Sequence, residues 1–155
     1  MRKLVIAATL LGLSWTTSAR ADVGLGLFVG NPVGLDLKLD LQRRSSLDLL
    51  FGWTTVRDAT DEYFHLTYLV TPIVGHGESV LIPLRVGIGG AIYDDGPFFN
   101  SVNLAVRVPV ELGFRFRRTP LEIYGEIALE VTFVDDNDNN NTVDVQGGAG
   151  IRFFL

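Results

Sequence analysis

The chain has 155 residues, 47% hydrophobic and 20% charged, with 13 basic against 18 acidic side chains and no cysteine. That length suits one domain, and the missing thiols exclude disulfides and thiolate metal sites. The acidic balance argues against a nucleic-acid partner.

Residues 1–21 read as a secretory signal: Arg2 and Lys3, an apolar run from Leu4 to Leu13, and the small-x-small site Ala19-Arg20-Ala21 before Asp22. The run is too short to cross a bilayer as a helix. Residues 22–155 are then the working domain. Losing Arg2, Lys3 and Arg20 takes the 13 basic residues down by 3 to 10, against 18 acidic ones, a net charge of −8.

Eight segments follow in which apolar and polar residues alternate with period two, the mark of strands with unlike faces. Val23 to Gly30 sets Val23, Leu25, Leu27 and Val29 against Gly24, Gly26, Phe28 and Gly30; Asn31-Pro32 turns the chain. Val33 to Gln42 puts five apolar residues outward and Asp36, Lys38, Asp40 and Gln42 inward, before a turn at Arg43-Arg44-Ser45. Ser46 to Val56 turns Leu47, Leu49, Phe51 and Trp53 outward and Asp48, Gly52 and Thr54 inward, and a loop at 57–61 follows. Glu62 to Thr71 has Phe64, Leu66, Tyr68 and Val70 outward and Tyr63, His65, Thr67 and Leu69 inward, with a connection from Pro72 to Ser79.

Val80 to Tyr93 carries Arg85, Gly87, Gly89 and Tyr93 on its inner face, and a loop at 94–100 follows. Ser101 to Phe116 has Asn103, Arg107, Pro109, Glu111 and Arg115 inward. Pro109 cannot donate to a ladder, which predicts a bulge. Pro120 to Val134 alternates most cleanly, with Glu122, Glu126 and Glu130 on one face and no charge on the other. At 15 residues it exceeds the usual soluble strand of about 5–6 and satisfies the roughly 9–11 that a tilted membrane strand needs. After the polar loop 135–141, Thr142 to Leu155 points Asp144, Gln146, Arg152 and Phe154 inward.

Alternation alone also fits a soluble sheet. Here the apolar face is uncharged in all eight segments, while the other face holds glycine, acids and arginine. Trp53, Phe64 and Phe133 fall near one end of their strands, and Phe114, Phe116 and Phe153 near the other, like two aromatic girdles. Acids gather in one set of connections and Arg43, Arg44, Arg117 and Arg118 in the other. Only a closed barrel lets strands cross lipid with every backbone group paired. The predicted fold is therefore all-β: an eight-stranded antiparallel up-and-down transmembrane barrel with a charged interior filled by side chains.

The pieces GLGLFVGNPVGLDLKLDL, GWTTV, HLTYLV, IPLRVGIGGAIY, VRVPVELGFRF, PLEIYGEIALEV and GGAGIRFFL span the domain. Together they resemble a group of small bacterial outer-membrane β-barrel proteins, similar in build to the OmpA transmembrane domain. The resemblance implies the fold, a Gram-negative outer-membrane location and contact with the barrel-assembly machinery, and it implies no catalytic residues. One departure is the last residue, Leu155, where such proteins usually end on an aromatic ring.

A turn at 118–119 would set Arg115 opposite Glu122, Glu111 opposite Glu126 and Arg107 opposite Glu130. With Arg85 and Arg152 in reach, these eight residues are expected to form a carboxylate–guanidinium network that plugs the lumen. Glu111 and Glu126 need a cation between them. His65 is the candidate base of a lipid A-modifying enzyme, but no outward serine accompanies it, and a hydrogen-bonded interior histidine is the simpler reading. His76 falls in a turn. The Asp/Asn run at 135–141 could bind divalent cations but lacks the glycine and glutamate of an EF-hand loop. Gly87-x-Gly89-Gly90 lies within a strand, where no nucleotide loop forms.

The functional expectation is a non-enzymatic outer-membrane barrel without cofactor or metal. Its role would be structural or in surface interaction, with acidic extracellular loops, a plugged lumen, and membrane lipid and lipopolysaccharide as neighbours. A lipid A-modifying enzyme and a narrow pore are the alternatives, and any extracellular ligand is unspecified.

Overall fold

The computed structural model describes residues 22–56, 59–94, 102–134 and 142–155, with side chains described at all of these except 55, 56, 59–61, 134 and 142. The expected signal segment, the loop 135–141 and most of the loop 94–100 lie outside the described residues.

Eight strands form: β1 Val23–Asn31, β2 Val33–Gln42, β3 Ser45–Val56, β4 Ala59–His76, β5 Val80–Asp94, β6 Val102–Phe116, β7 Leu121–Val134 and β8 Thr142–Phe154. Each pairs antiparallel with its sequence neighbours, and β8 returns to β1 from Gly24–Phe154 to Asn31–Gly147. The sheet is a closed barrel, so no strand is left as a full-length edge.

Some connections differ from the sequence reading. Strand β4 runs through Pro72 to His76, across an irregularity between Val70 and Ile73, so the connection predicted at 72–79 shrinks to 77–79 and His76 ends a strand. Val56 pairs with Ala59, which reduces the loop at 57–61 to residues 57–58. Asp94, expected in an outer loop, is the buried last residue of β5. No bulge forms at Pro109. It faces Ala128 in the unbroken β6–β7 register, and the β5–β6 ladder resumes in the same register from Val86–Val110 to Gly89–Arg107. The missing donor is absorbed by a local gap on the β5 side. The irregularity of β6 falls at Leu104–Ala105 instead.

The facing of side chains follows the alternation. Val29, Leu35, Ile127 and Val145 are all more than 60% exposed, and exposed apolar residues occur on every strand. Arg107, Arg152, Lys38, Glu111 and Glu122 have no exposure. The core is the lumen, and its contents are largely polar, with ion pairs packed among aromatic rings such as Phe28, Tyr63 and Tyr124.

Small residues make space for this filling. Gly150 pairs directly with Tyr124, whose ring lies over the glycine; a Cβ there would fall 2.3 Å from the ring. Tyr124 stacks on Phe28 at 5.8 Å, and the Arg152 guanidinium sits 3.5 Å above the tyrosine centroid. The glycine thus seats the ring that supports the central arginine.

Gly150→Ala is expected to cost about 1–3 kcal/mol by overpacking. Gly125→Ala points outward, where the nearest atom would be 3.8 Å away, and is expected to change stability by less than about 0.5 kcal/mol. Urea unfolding in detergent, followed by tryptophan fluorescence, checks both.

Candidate functional site

The lumen is crossed by one continuous ionic cluster centred on Arg152 of β8. Its Nε donates to Asp36 of β2. Its Nη1 donates to Glu111 of β6 at 2.8 Å and Glu122 of β7 at 3.2 Å, and its Nη2 to Asp48 of β3 at 2.8 Å. One side chain therefore ties five strands together, including pairs on opposite walls.

Arg85 of β5 makes the second node, with Glu111 at 2.5 Å and a two-pronged contact to Glu122 at 2.9 and 2.7 Å. Lys38 of β2 lies 3.5 Å from Glu111. Arg107 of β6 holds Glu126 at 2.5 Å and also approaches His65 Nε2 at 2.8 Å and Thr67 Oγ1 at 3.3 Å. Hydroxyl and amide donors complete the set: Tyr124 donates to Asp36 at 2.5 Å, Tyr63 to Glu130 at 2.7 Å, and Gln146 to Glu130 at 3.1 Å. These neutral donors matter because buried acids outnumber buried lysines and arginines among the described residues.

The β6–β7 register does set Arg115 opposite Glu122, Glu111 opposite Glu126 and Arg107 opposite Glu130. Only part of the expected pairing follows from it. Arg107 reaches Glu126, four residues back along β7 from the Glu130 it faces, and Glu130 is held by Tyr63 and Gln146. Glu122 is held by Arg85 and Arg152. Arg115 lies at the barrel mouth, where it bonds Asp40 and Asp22 at 3.0 Å each and stacks over Phe154 at 3.8 Å. Long side chains in a tilted barrel meet partners across and along the lumen before they meet the residue directly opposite.

The cation needed beside Glu111 and Glu126 is supplied by this chain. Asp48, Glu111 and Glu126 present oxygens within 4.8 Å of one another. Arg152 joins Asp48 to Glu111, Lys38 adds to Glu111, and Arg107 takes Glu126. Each of these three carboxylates is thus already paired with a cation of this chain.

His65 is 1% exposed and enclosed by Arg107, by Asp48 with Oδ2 at 3.6 Å from Nε2, and by the edge of Tyr63 at 5.7 Å. A lipid on the outer wall has no approach to it. The sequence reading put Asp36, Lys38, Asp48 and Tyr63 on the inner face without assigning them to the network. Alternation also put Tyr124 on the same face as Glu122, Glu126 and Glu130, again without a role in the network. Their facing was the available signal; their height on the far wall was not.

These features define a closed eight-stranded antiparallel barrel with an ionic, side-chain-filled lumen. No protein-family model matches the chain, and no curated protein matches it. Among solved structures, the N-terminal β-barrel domain of Pseudomonas aeruginosa OprF is similar, with a TM-score of 0.59 and 14% identity over 87% of this chain and 98% of that one. The shared property is the fold, an OmpA-like barrel.

Glu126→Leu removes the carboxylate of Arg107 and leaves a sealed cation, with an expected loss of about 3–5 kcal/mol. Adding Arg107→Met should restore most of that loss, because removing both partners leaves no orphan charge. Unfolding midpoints of the single and double variants measure the difference.

Proposed function

We propose that the chain is a small outer-membrane β-barrel with a structural or surface-interaction role, its lumen plugged and its acidic connections facing outward. The observation that carries this reading is the partition itself. An apolar wall circles the whole barrel, with Leu25, Leu35, Ile88, Ile127 and Val145 exposed, while Lys38, Arg85, Arg107 and Arg152 and, among the described residues, seven acids are buried inside. Water-soluble proteins rarely expose apolar patches beyond about 300–600 Å², and a lipid bilayer is the solvent in which such a wall is stable.

Orientation follows from the connections. The end carrying Asp22 has only connections of two to four residues, at 43–44, 77–79 and 117–120, whereas the opposite end, besides short ones at 32 and 57–58, has both seven-residue connections, after Asp94 and Val134. Short turns belong on the periplasmic side. On this orientation the acidic connection 135–141, which lies outside the described residues, belongs to the extracellular end, and lipopolysaccharide bridged by divalent ions is its proposed neighbour. Secretion through a signal segment and handling by the barrel-assembly machinery belong to the same reading.

The ionic lumen favours a plug over a pore. Arg152 alone contacts carboxylates on four other strands, so the middle of the barrel is spanned by side chains. An eight-stranded barrel has an interior that side chains just fill.

Two measurements test this reading. The membrane fraction run on a detergent gel with and without boiling should show a heat-dependent mobility shift; a soluble protein with no shift contradicts it. In planar bilayers the purified protein should show no steady porin-like conductance; large open channels would favour the pore.

A further inference from the structure

We infer that the periplasmic rim carries a headgroup site for one anionic phospholipid, in the notch between the β2–β3 turn and strand β4. The inference rests on the membrane reading above.

The notch comes from unequal strand lengths. Strand β3 begins at Ser45, paired with Val70, while β4 continues six residues further to His76. One backbone bond, from Thr71 N–H to Arg44 C=O at 2.9 Å, closes the junction. Beyond it, β4 keeps its β5 partner, from Ile73–Leu84 to His76–Leu81, but has no β3 residue beside it. A depression of about 530 Å³ lies there, lined by Arg43, Arg44, Tyr68, Val70, Thr71 and Pro72 among others. A second cavity of about 400 Å³ opens into the barrel mouth and shares Arg43, Ser45 and Thr71 with it. The notch thus joins the outer wall to the mouth.

Its chemistry is two-sided. Arg43 and Arg44 are exposed and take part in no ion pair among the described residues. In the adjoining mouth, Arg115 is already neutralised by Asp22 and Asp40. The uncompensated positive charge is therefore at the notch and not deeper. Toward the barrel middle from the arginines, Tyr68 and Val70 are exposed apolar side chains of β4 on the wall that the bilayer covers, and Ile73 is exposed on the rim side of them. An anion that also carries acyl chains satisfies both halves: phosphate against the guanidinium groups, chains along β4. An extended peptide on the free edge of β4 fits less well, because Pro72 lacks an N–H and the strand is irregular there.

The opposite turn supplies an internal control. Arg117 and Arg118 are also exposed arginines at the same end of the barrel, but Arg117 N–H bonds Ser79 C=O at 3.0 Å, so their turn packs against its neighbour instead of leaving a gap.

The experiment is native mass spectrometry of the refolded full-length protein in detergent, titrated with phosphatidylglycerol or phosphatidylcholine. One phosphatidylglycerol per barrel should be retained in preference to phosphatidylcholine. R43Q/R44Q should lower that retention by roughly tenfold or more, on the scale of two arginines at a membrane surface. R117Q/R118Q should leave it unchanged. All variants are run in parallel for the heat-dependent gel shift. A missing shift in the wild type defeats the membrane reading, and the site with it; a normal shift isolates the lipid question. Equal retention of both lipids, equal losses in the two double variants, or displacement by inorganic phosphate at matched concentration would each overturn the site. Should R43Q/R44Q lose its gel shift, R43Q and R44Q are tested singly, and retention unchanged in both overturns it equally.

Discussion

The guanidinium of Arg152 is the contact on which the structure turns. It has no exposure and reaches carboxylates on β2, β3, β6 and β7 from its place on β8. A charge that deep is tolerable only when its hydrogen bonds are met. Tyr124 supports the arginine from below, and Gly150 makes room for Tyr124. The backbone closes the cylinder, and the ion cluster holds its walls together across the lumen.

An ionic interior and an apolar exterior are consequences of one constraint. A strand has two faces. In a narrow cylinder one face meets the other walls, and the opposite face meets the surroundings. Where the surroundings are hydrocarbon, charge can only be placed inside, and there it must be paired. Glycine on the inner face is the geometric counterpart, since several large rings and guanidinium groups share the same cross-section. Part of the excess of buried acids is met locally: the hydroxyl of Tyr63 and the amide of Gln146 hold Glu130, and the hydroxyl of Tyr124 holds Asp36. Enclosure by that same cluster leaves His65 without access to a substrate at the outer wall.

The sequence revealed the fold more fully than the cluster. Period-two alternation from Val23 to Leu155 gave the number of strands and the facing of residues such as Leu129 and Glu130 directly. The short turn after Phe116 was enough to place Arg107, Glu111 and Arg115 opposite their β7 partners. The partners across the lumen were not readable. Alternation says that Asp36, Lys38 and Asp48 point inward, but strand tilt decides at what height they meet Arg152 or Glu111. Strand ends were the other gap. Pro72 looked like a connection because proline is rare within strands. In the structure it falls within the irregularity between Val70 and Ile73, where the β4–β5 ladder is interrupted and no paired donor is required of it.

The central claim is that the outer wall faces lipid while the lumen is closed to water. Ile127 is 66% exposed on β7, and the chain has no cysteine of its own. A nitroxide attached through Ile127→Cys in the refolded, bilayer-reconstituted protein reports the environment of that wall directly. Frequent collision with dissolved oxygen and exclusion of a water-soluble nickel chelate is the expected result. Free access of the chelate to the label would contradict the account.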